Sequence, residues 1–422
     1  LFFDFFFLYF SYRVILMKKI KILAIAPDIH GVGKYRILDP FKYIGDNYSN
    51  EFHIDISFNV TEGDEFFKNY DIVVFHSFIH QKTHEENIER INFLKSQGIK
   101  VVMDIDDFWS PDHRHPMYLA IKESQLSKKK LELMKLSNYV TCTTEFFANN
   151  IKNRTGNKNV VVFPNAIDSN ESQFQPKSTN SNKIRFGWLG GSSHLHDLEL
   201  LSDGISVITT NYDNVQFVLC GFDLRGNVTE FNSKTGEKRT RPIKPEETVW
   251  FKYEKIFTNN YKSVDDEYKS YLMNFTESPE IDTSNMKYRR VWTQPINNYG
   301  NNYNLFDVSL APVLETEFNA NKSQLKVIES GFHKKPIIAS ETEPYTFDLK
   351  NAYKDGNFLK EGNALTVPQK KSHKLWAKYM KLLIENPNMI EDLGNRLYET
   401  VKDKYSLQKV CKDRIEFFKS II

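Results

Sequence analysis

Three features of the sequence predict an α/β fold of two doubly wound, Rossmann-like domains facing each other across a cleft. Short β-branched runs alternate with amphipathic stretches along most of the chain, the signature of βαβ units and parallel sheets. The 422 residues exceed the roughly 250–300 that one hydrophobic core organises, so at least two domains are required. The alternation stops at a polar stretch, Ser169–Asn182, and then restarts in the same form: both halves open on Lys-Ile, a buried strand and a glycine turn into a helix.

The elements follow in order. Lys19–Ala26 (KIKILAIA) is a buried strand, and Gly31-Val32-Gly33-Lys34-Tyr35-Arg36 turns into a helix. Glu51–Phe58 places Phe52, Ile54, Ile56 and Phe58 on one face, the period of a strand. Tyr70–His76, Lys100–Met103, Tyr139–Cys142 and Val160–Phe163 are further strands, with helices over 85–97, 128–136 and 144–154 between them. The second half reads as strands at Ile184–Leu189, Val215–Cys220, Phe306–Leu310 and Pro336–Ala339, with helices over 195–208, 375–384 and 388–420. Residues 223–285 have weak periodicity and take no assignment. The expected division is a first domain over 17–168, a linker over 169–182, a second domain over 183–395, and a tail over 396–422 returning to the first domain.

Composition removes several classes. Lys plus Arg is 56 against 54 for Asp plus Glu, so the net charge of +2 is no footprint for nucleic acid. The 40% hydrophobic content excludes global disorder. Cys142, Cys220 and Cys411 are far apart and form no CxxC pair, so neither a disulfide framework nor a zinc site is expected. A reduced, cytoplasmic setting fits them best. The apolar opening, LFFDFFFLYFSYRVIL, is broken by Asp4 and Arg13 and is short for a span. We read residues 1–16 as an upstream extension before Met17, which leaves a peripheral contact with the inner face of a membrane open.

The stretch Asp307–Ser340 is the richest in chemistry. Ser323 is placed to cap a helix over roughly 324–331 that Gly331 closes. Lys322, Lys326 and Glu329 form one stripe of that helix. Free N–H groups and two cations at a helix N-terminus suit a diphosphate, and a carboxylate one turn on suits ribose hydroxyls. The same spacing also fits a solvated Lys–Glu pair. The turn Gly190-Gly191-Ser192-Ser193 lies between a strand and a helix, where backbone N–H groups form an anion-binding concavity. Asp104-Ile105-Asp106-Asp107 emerges from a strand end, as a DxD metal motif would.

Asn321 through Ser340, with IESGFHKKPIIAS at its end, resembles the donor-binding segment of GT-B glycosyltransferases, in particular glycosyltransferase family 4. Glu329 matches the second carboxylate of the family's E-x7-E pattern, and Asn321 stands where the first is expected. The resemblance implies a retaining, metal-independent glycosyltransferase with no cofactor beyond its substrate, a nucleoside diphosphate sugar. The acceptor it implies is a hydroxyl on a glycan or lipid-linked glycan. Gly190, Gly191, Ser192, Asn321, Ser323 and Glu329 are expected at the donor. The family often carries a basic pair near the glycine turn, but here only His194 and His196 stand there, so Lys322 and Lys326 are expected to supply the catalytic charge on the diphosphate, and the resemblance adds His76 on the acceptor side. Gly33, Arg36, Asp104, Asp106 and Asp107 are expected at the cleft or the acceptor. A nucleotide-sugar epimerase and a silent sugar-nucleotide-binding relative are the alternatives.

Overall fold

The computed structural model describes residues 18–422 apart from Asn59, 80–82, 178–180, 224–225, 232–237, 259–285 and Lys371. The extension 1–16, His80 and part of the unassigned 223–285 region lie outside the described residues.

The first sheet has six parallel strands: β1 (Ile20–Ile25), β2 (Phe52–Ser57), β3 (Ile72–His76), β4 (Lys100–Asp104), β5 (Tyr139–Cys142) and β6 (Val160–Val162). Their order is β2-β1-β3-β4-β5-β6. Strands buried on both faces need apolar residues at every position, which is why IVVFH and KVVMD are continuous runs. Helices cover both faces over two separate cores, one around Leu23, Phe75 and Met103 and one around Ile22, Val74 and Val102.

The second sheet repeats the plan with β7 (Ile184–Leu189), β8 (Val215–Phe222), β11 (Tyr288–Trp292), β12 (Val308–Ala311), β13 (Ile337–Ser340) and β16 (Leu365–Val367). Its order is β11-β8-β7-β12-β13-β16. Two small antiparallel ribbons hang from it, β9 (Asn227–Phe231) with β10 (Lys238–Pro242), and β14 (Tyr353–Lys354) with β15 (Asn357–Phe358).

Three of the predicted elements take a different form in the structure. The single helix expected over 388–420 is two helices, Asn388–Val401 and Leu407–Ser420, separated by a turn. The later one leaves the second domain and packs Val410, Cys411, Ile415 and Phe418 into the first domain's core. Gly331 does not end its helix, which runs over Leu325–Phe332; the left-handed residue beyond it is Lys334. Glycine is needed there for contact, since a Cβ would lie 2.4 Å from Val401 of the crossing helix. Helix 195–208 is broken into Leu195–Leu198, a 3₁₀ turn and Ser202–Asn211. All three cysteines are buried and free, and no described helix is long and apolar enough to cross a membrane.

Candidate functional site

Ligands of open parallel sheets sit at the carboxyl ends of strands where the strand order reverses. In the first sheet that point lies between β1 and β3, in the second between β7 and β12. The residues that follow these strands face each other.

On the first domain, β1 leads to Gly31–Gly33, a π-type turn Lys34–Leu38, and the helix Asp39–Asn47. The π turn buries Lys34, Tyr35 and Arg36 in succession. π turns are rare and concentrate at functional sites. Arg36 does not reach the cleft surface. It is fully buried, donating from Nε and Nη2 to Asp104 at 3.0 and 2.7 Å and from Nη1 to the Phe163 carbonyl at 2.5 Å. Asp104 is fully buried with it and also accepts from Thr141 Oγ1 at 2.6 Å. Burial works against that carboxylate, but the guanidinium overrides it and holds its pKa below the ordinary range. The register explains the grouping, because His76, Asp104 and Thr141 are direct neighbours across β3, β4 and β5.

His76 ends β3 and pairs through Nε2 with Asp106 Oδ1 at 3.0 Å. Asp107 is open to solvent but crowded by both domains; desolvation and the adjacent Asp106 push its carboxyl up to about 6. Asp104, Asp106 and Asp107 therefore point to three different surroundings. Among the described residues, no group of three or more His, Cys, Asp or Glu is arranged to hold a metal ion.

On the second domain, β7 ends in Leu189 and the turn Gly190–Ser193. A Cβ on Gly190 would lie 2.5 Å from Trp188 and 3.2 Å from the Lys326 ammonium, so this glycine lets the turn close over both. Gly191 has open space around it. Tyr253 pins the turn: its hydroxyl donates to the Gly191 carbonyl at 3.2 Å and accepts from the His194 N–H at 2.8 Å.

The helix Leu325–Phe332 starts one residue later than expected. Gln324 is its N-cap, without a capping side chain, while Ser323 Oγ accepts from Asn165 Nδ2 at 3.0 Å. Lys326 points back at the glycine turn. Its ammonium donates to the Leu189 carbonyl and lies 5.2 Å from the Trp188 ring. Desolvation lowers its pKa to about 8, against the pull of Glu329. Lys322 is half-exposed, 4.9 Å over the Phe318 ring. Lys322, Ser193, Asp197 and Asn319 line a cavity of about 350 Å³ of open space, closed on the first-domain side by Asp112, Arg114 and His115.

Glu329 is buried under three phenols. Tyr35 donates to Oε1 at 2.8 Å, Tyr303 to Oε2 at 2.9 Å, and Tyr299 also to Oε1. Burial and then the carboxylate raise all three tyrosines well above their ordinary pKa, so they remain donors. Tyr35 belongs to the first domain, which makes this a contact between domains. Asn321 makes another: it is fully buried, accepting from Asn150 at 2.9 Å and donating to the Glu317 carbonyl at 2.7 Å.

Two residues of the site are not apparent from the sequence. Asp197 accepts from the Leu314 N–H at 2.8 Å and Asn319 at 3.2 Å, and it meets His194 Nδ1 at 2.8 Å. Desolvation, then the Lys322 charge, lowers His194 to about 4 despite that carboxylate, so its ring is neutral at pH 7. The spacing His194–Asp197 is the available signal. Tyr35 lies within the Gly31–Arg36 turn, but nothing local ties it to a residue 294 positions on.

No protein-family model matches this chain, and no curated protein matches it. Solved structures do match in shape. A glycosyltransferase from Rickettsia africae superimposes with a TM-score of 0.59 at 12% identity, over 96% of this chain and 98% of that one. Anabaena HepE, solved with UDP-glucose, gives 0.61 at 10% identity over 95% and 99%. The catalytic domain of Arabidopsis starch synthase IV, bound to ADP and acarbose, gives 0.57 at 10% identity over 96% and 99%. At such identities the likeness concerns the fold, and over nearly the full length of each chain that fold is GT-B.

Proposed function

We propose that this chain is a retaining, metal-independent glycosyltransferase that moves a sugar from a nucleoside diphosphate sugar to a hydroxyl acceptor, a glycan or lipid-linked glycan. The observation that carries the reading is the meeting of Lys326, the Gly190–Ser193 turn and the half-exposed Lys322 at the switch point of the second sheet. The matching structures with UDP-glucose and with ADP support the donor class. In this reading the diphosphate sits on the glycine turn, the two ammonium groups take its charge, and Glu329 takes ribose hydroxyls. Charge grows on the leaving phosphate as the glycosidic bond breaks, so fixed cations favour the transition state over the ground state. Domain closure excludes water from the reacting carbon.

A putative UDP-N-acetylglucosamine 2-epimerase from Listeria monocytogenes also matches in fold, with a TM-score of 0.52 at 9% identity over 96% of each chain. It motivates a second reading in which the same donor site acts without a hydroxyl acceptor.

Steady-state kinetics in the presence of a chelator test the proposal. Lys326→Ala and Lys322→Ala should lower turnover more than they raise the donor KM, by about 100-fold for the stronger of the two. Near-normal turnover and KM in both variants would remove the phosphate site from this helix. Activity lost to chelator and restored by Mn or Mg would end the metal-independent reading.

A further inference from the structure

Two glycines let the Gly190–Ser193 turn take its shape but do not hold it there, because glycine visits more backbone conformations than any other residue. Gly191 and Ser192 are exposed, and a Cβ on Gly191 would meet nothing within 4 Å. Packing therefore does not fix this peptide. Hydrogen bonds from beneath it do. Lys326 donates to the Leu189 carbonyl where the turn begins. Tyr253 takes the rest: its hydroxyl donates to the Gly191 carbonyl at 3.2 Å and accepts from the His194 N–H at 2.8 Å.

Tyr253 is well placed to hold a backbone still. It is fully buried on the helix Val249–Thr258, with its ring edge-on to Trp188 at 5.5 Å and to Trp250 at 5.2 Å. Burial raises its hydroxyl above the ordinary pKa, so the proton it donates stays on it. A phenol gives one proton and accepts through its lone pairs, so the two bonds use it in complementary ways. The consequence lies in the peptide plane. The Gly191 carbonyl and the Ser192 N–H belong to one planar trans unit and point in opposite directions. Drawing the carbonyl inward to Tyr253 turns the Ser192 N–H outward, away from the helix. The His194 N–H is spent on the phenol.

We propose that Tyr253 is a positioning residue of the donor site, whose hydroxyl sets the Gly191–Ser192 peptide so that the Ser192 N–H is aimed at the diphosphate. The inference rests on the donor reading above. An anion then meets an N–H already oriented, instead of ordering a glycine turn at each binding.

Calorimetric titration of the full chain with UDP, ADP, GDP and CDP tests it. Tyr253→Phe keeps the ring and removes both bonds. It should weaken the diphosphate that the wild type binds by about tenfold. Tyr288→Phe is the control, because it loses a hydroxyl in the same core, one that donates to Glu254 at 2.8 Å. It should leave that affinity unchanged. Inorganic pyrophosphate competing with the nucleotide should weaken by the same factor in Tyr253→Phe, which puts the loss on the phosphates and not on the base. One readout needs no variant to fold: in the wild type, the bound diphosphate should slow amide exchange at Ser192 far more than at His194. Unaltered affinity in Tyr253→Phe, an equal loss in Tyr288→Phe, undiminished competition by pyrophosphate, or protection at His194 that matches Ser192 overturns the inference and leaves the donor reading standing. A wild-type chain that binds none of the four diphosphates ends the donor reading and this inference with it.

Discussion

Lys326 combines two demands that oppose each other. In the proposed donor site its ammonium must carry charge for a diphosphate, yet desolvation lowers its pKa to about 8. An arriving anion favours the charged form, so binding raises that pKa. Nucleoside diphosphate affinity should then be flat below pH 8 and fall about tenfold per pH unit above it, until the bound-state pKa is reached. Calorimetric titration between pH 7 and 9.5 reads this, and Lys326→Met should flatten the profile. His194 makes the opposite statement about acid. Its folded pKa, about 4, lies below the ordinary 6.5. The unfolded chain therefore takes up a proton first as pH falls, and stability is lost between pH 6.5 and 4. At pH 5 the loss is about 2 kcal/mol, from 1.36 kcal/mol per pKa unit. Urea unfolding at pH 7 and pH 5 should show a smaller difference for His194→Gln than for wild type. The residue types of this site were legible; their partners were not. Lys322, Lys326 and Glu329 stand out by spacing, whereas Asp197 gains meaning only when Leu314 and Asn319 fold back on it.

The helix Leu325–Phe332 depends on one close crossing. Gly331 lies against Val401, and a methyl group there would fall 2.4 Å from the valine side chain. Gly331→Ala should destabilise by about 1–3 kcal/mol, the range for an added methyl in a packed core. Val401→Ala in the same chain should recover part of that loss in chemical denaturation. A terminal glycine and a packing glycine look alike in sequence, since only the crossing helix tells them apart. The central strands were legible because buried parallel strands read as apolar runs. β11 was not, for its sequence is YRRVW. Arg290 is buried in that strand because Glu254 accepts from its Nε at 2.7 Å and its Nη2 at 2.8 Å. The charge that keeps this strand from reading as an apolar run is cancelled by Glu254 of the helix Val249–Thr258.

At the scale of the molecule, the first domain grips one segment of the second. Arg154 pairs with Glu317, Asn150 with Asn321, Asn165 with Ser323 and Tyr35 with Glu329. All four ties fall between residues 317 and 329. A carboxylate offers about four lone-pair sites, and three phenols occupy Glu329. A vicinal diol needs two, so under the proposed donor reading Tyr35 and ribose compete for Glu329. Tyr35→Phe should therefore raise nucleoside diphosphate affinity by about three- to tenfold, the worth of one neutral hydrogen bond. It should also speed hydrogen exchange over residues 317–329. Faster exchange with unchanged affinity would separate the domain contact from the ribose contact. The resemblance anticipated a cleft here, but which residues cross it depends on tertiary distances that no periodicity encodes.

The chain passes between the domains twice, and the two passages run side by side. Ile167 on the outward path and Ser406 on the return form a parallel bridge. The Ile167 N–H donates to the Tyr405 carbonyl at 2.9 Å, and the Leu407 N–H donates to the Ile167 carbonyl at 2.9 Å. One strand alone would act as a swivel, free to turn about its own bonds. Two passages tied by this bridge resist that turning, because torsion would break both hydrogen bonds between them. The seam works as a latch as much as a link, holding the two domains in the setting where Tyr35 of the first meets Glu329 of the second.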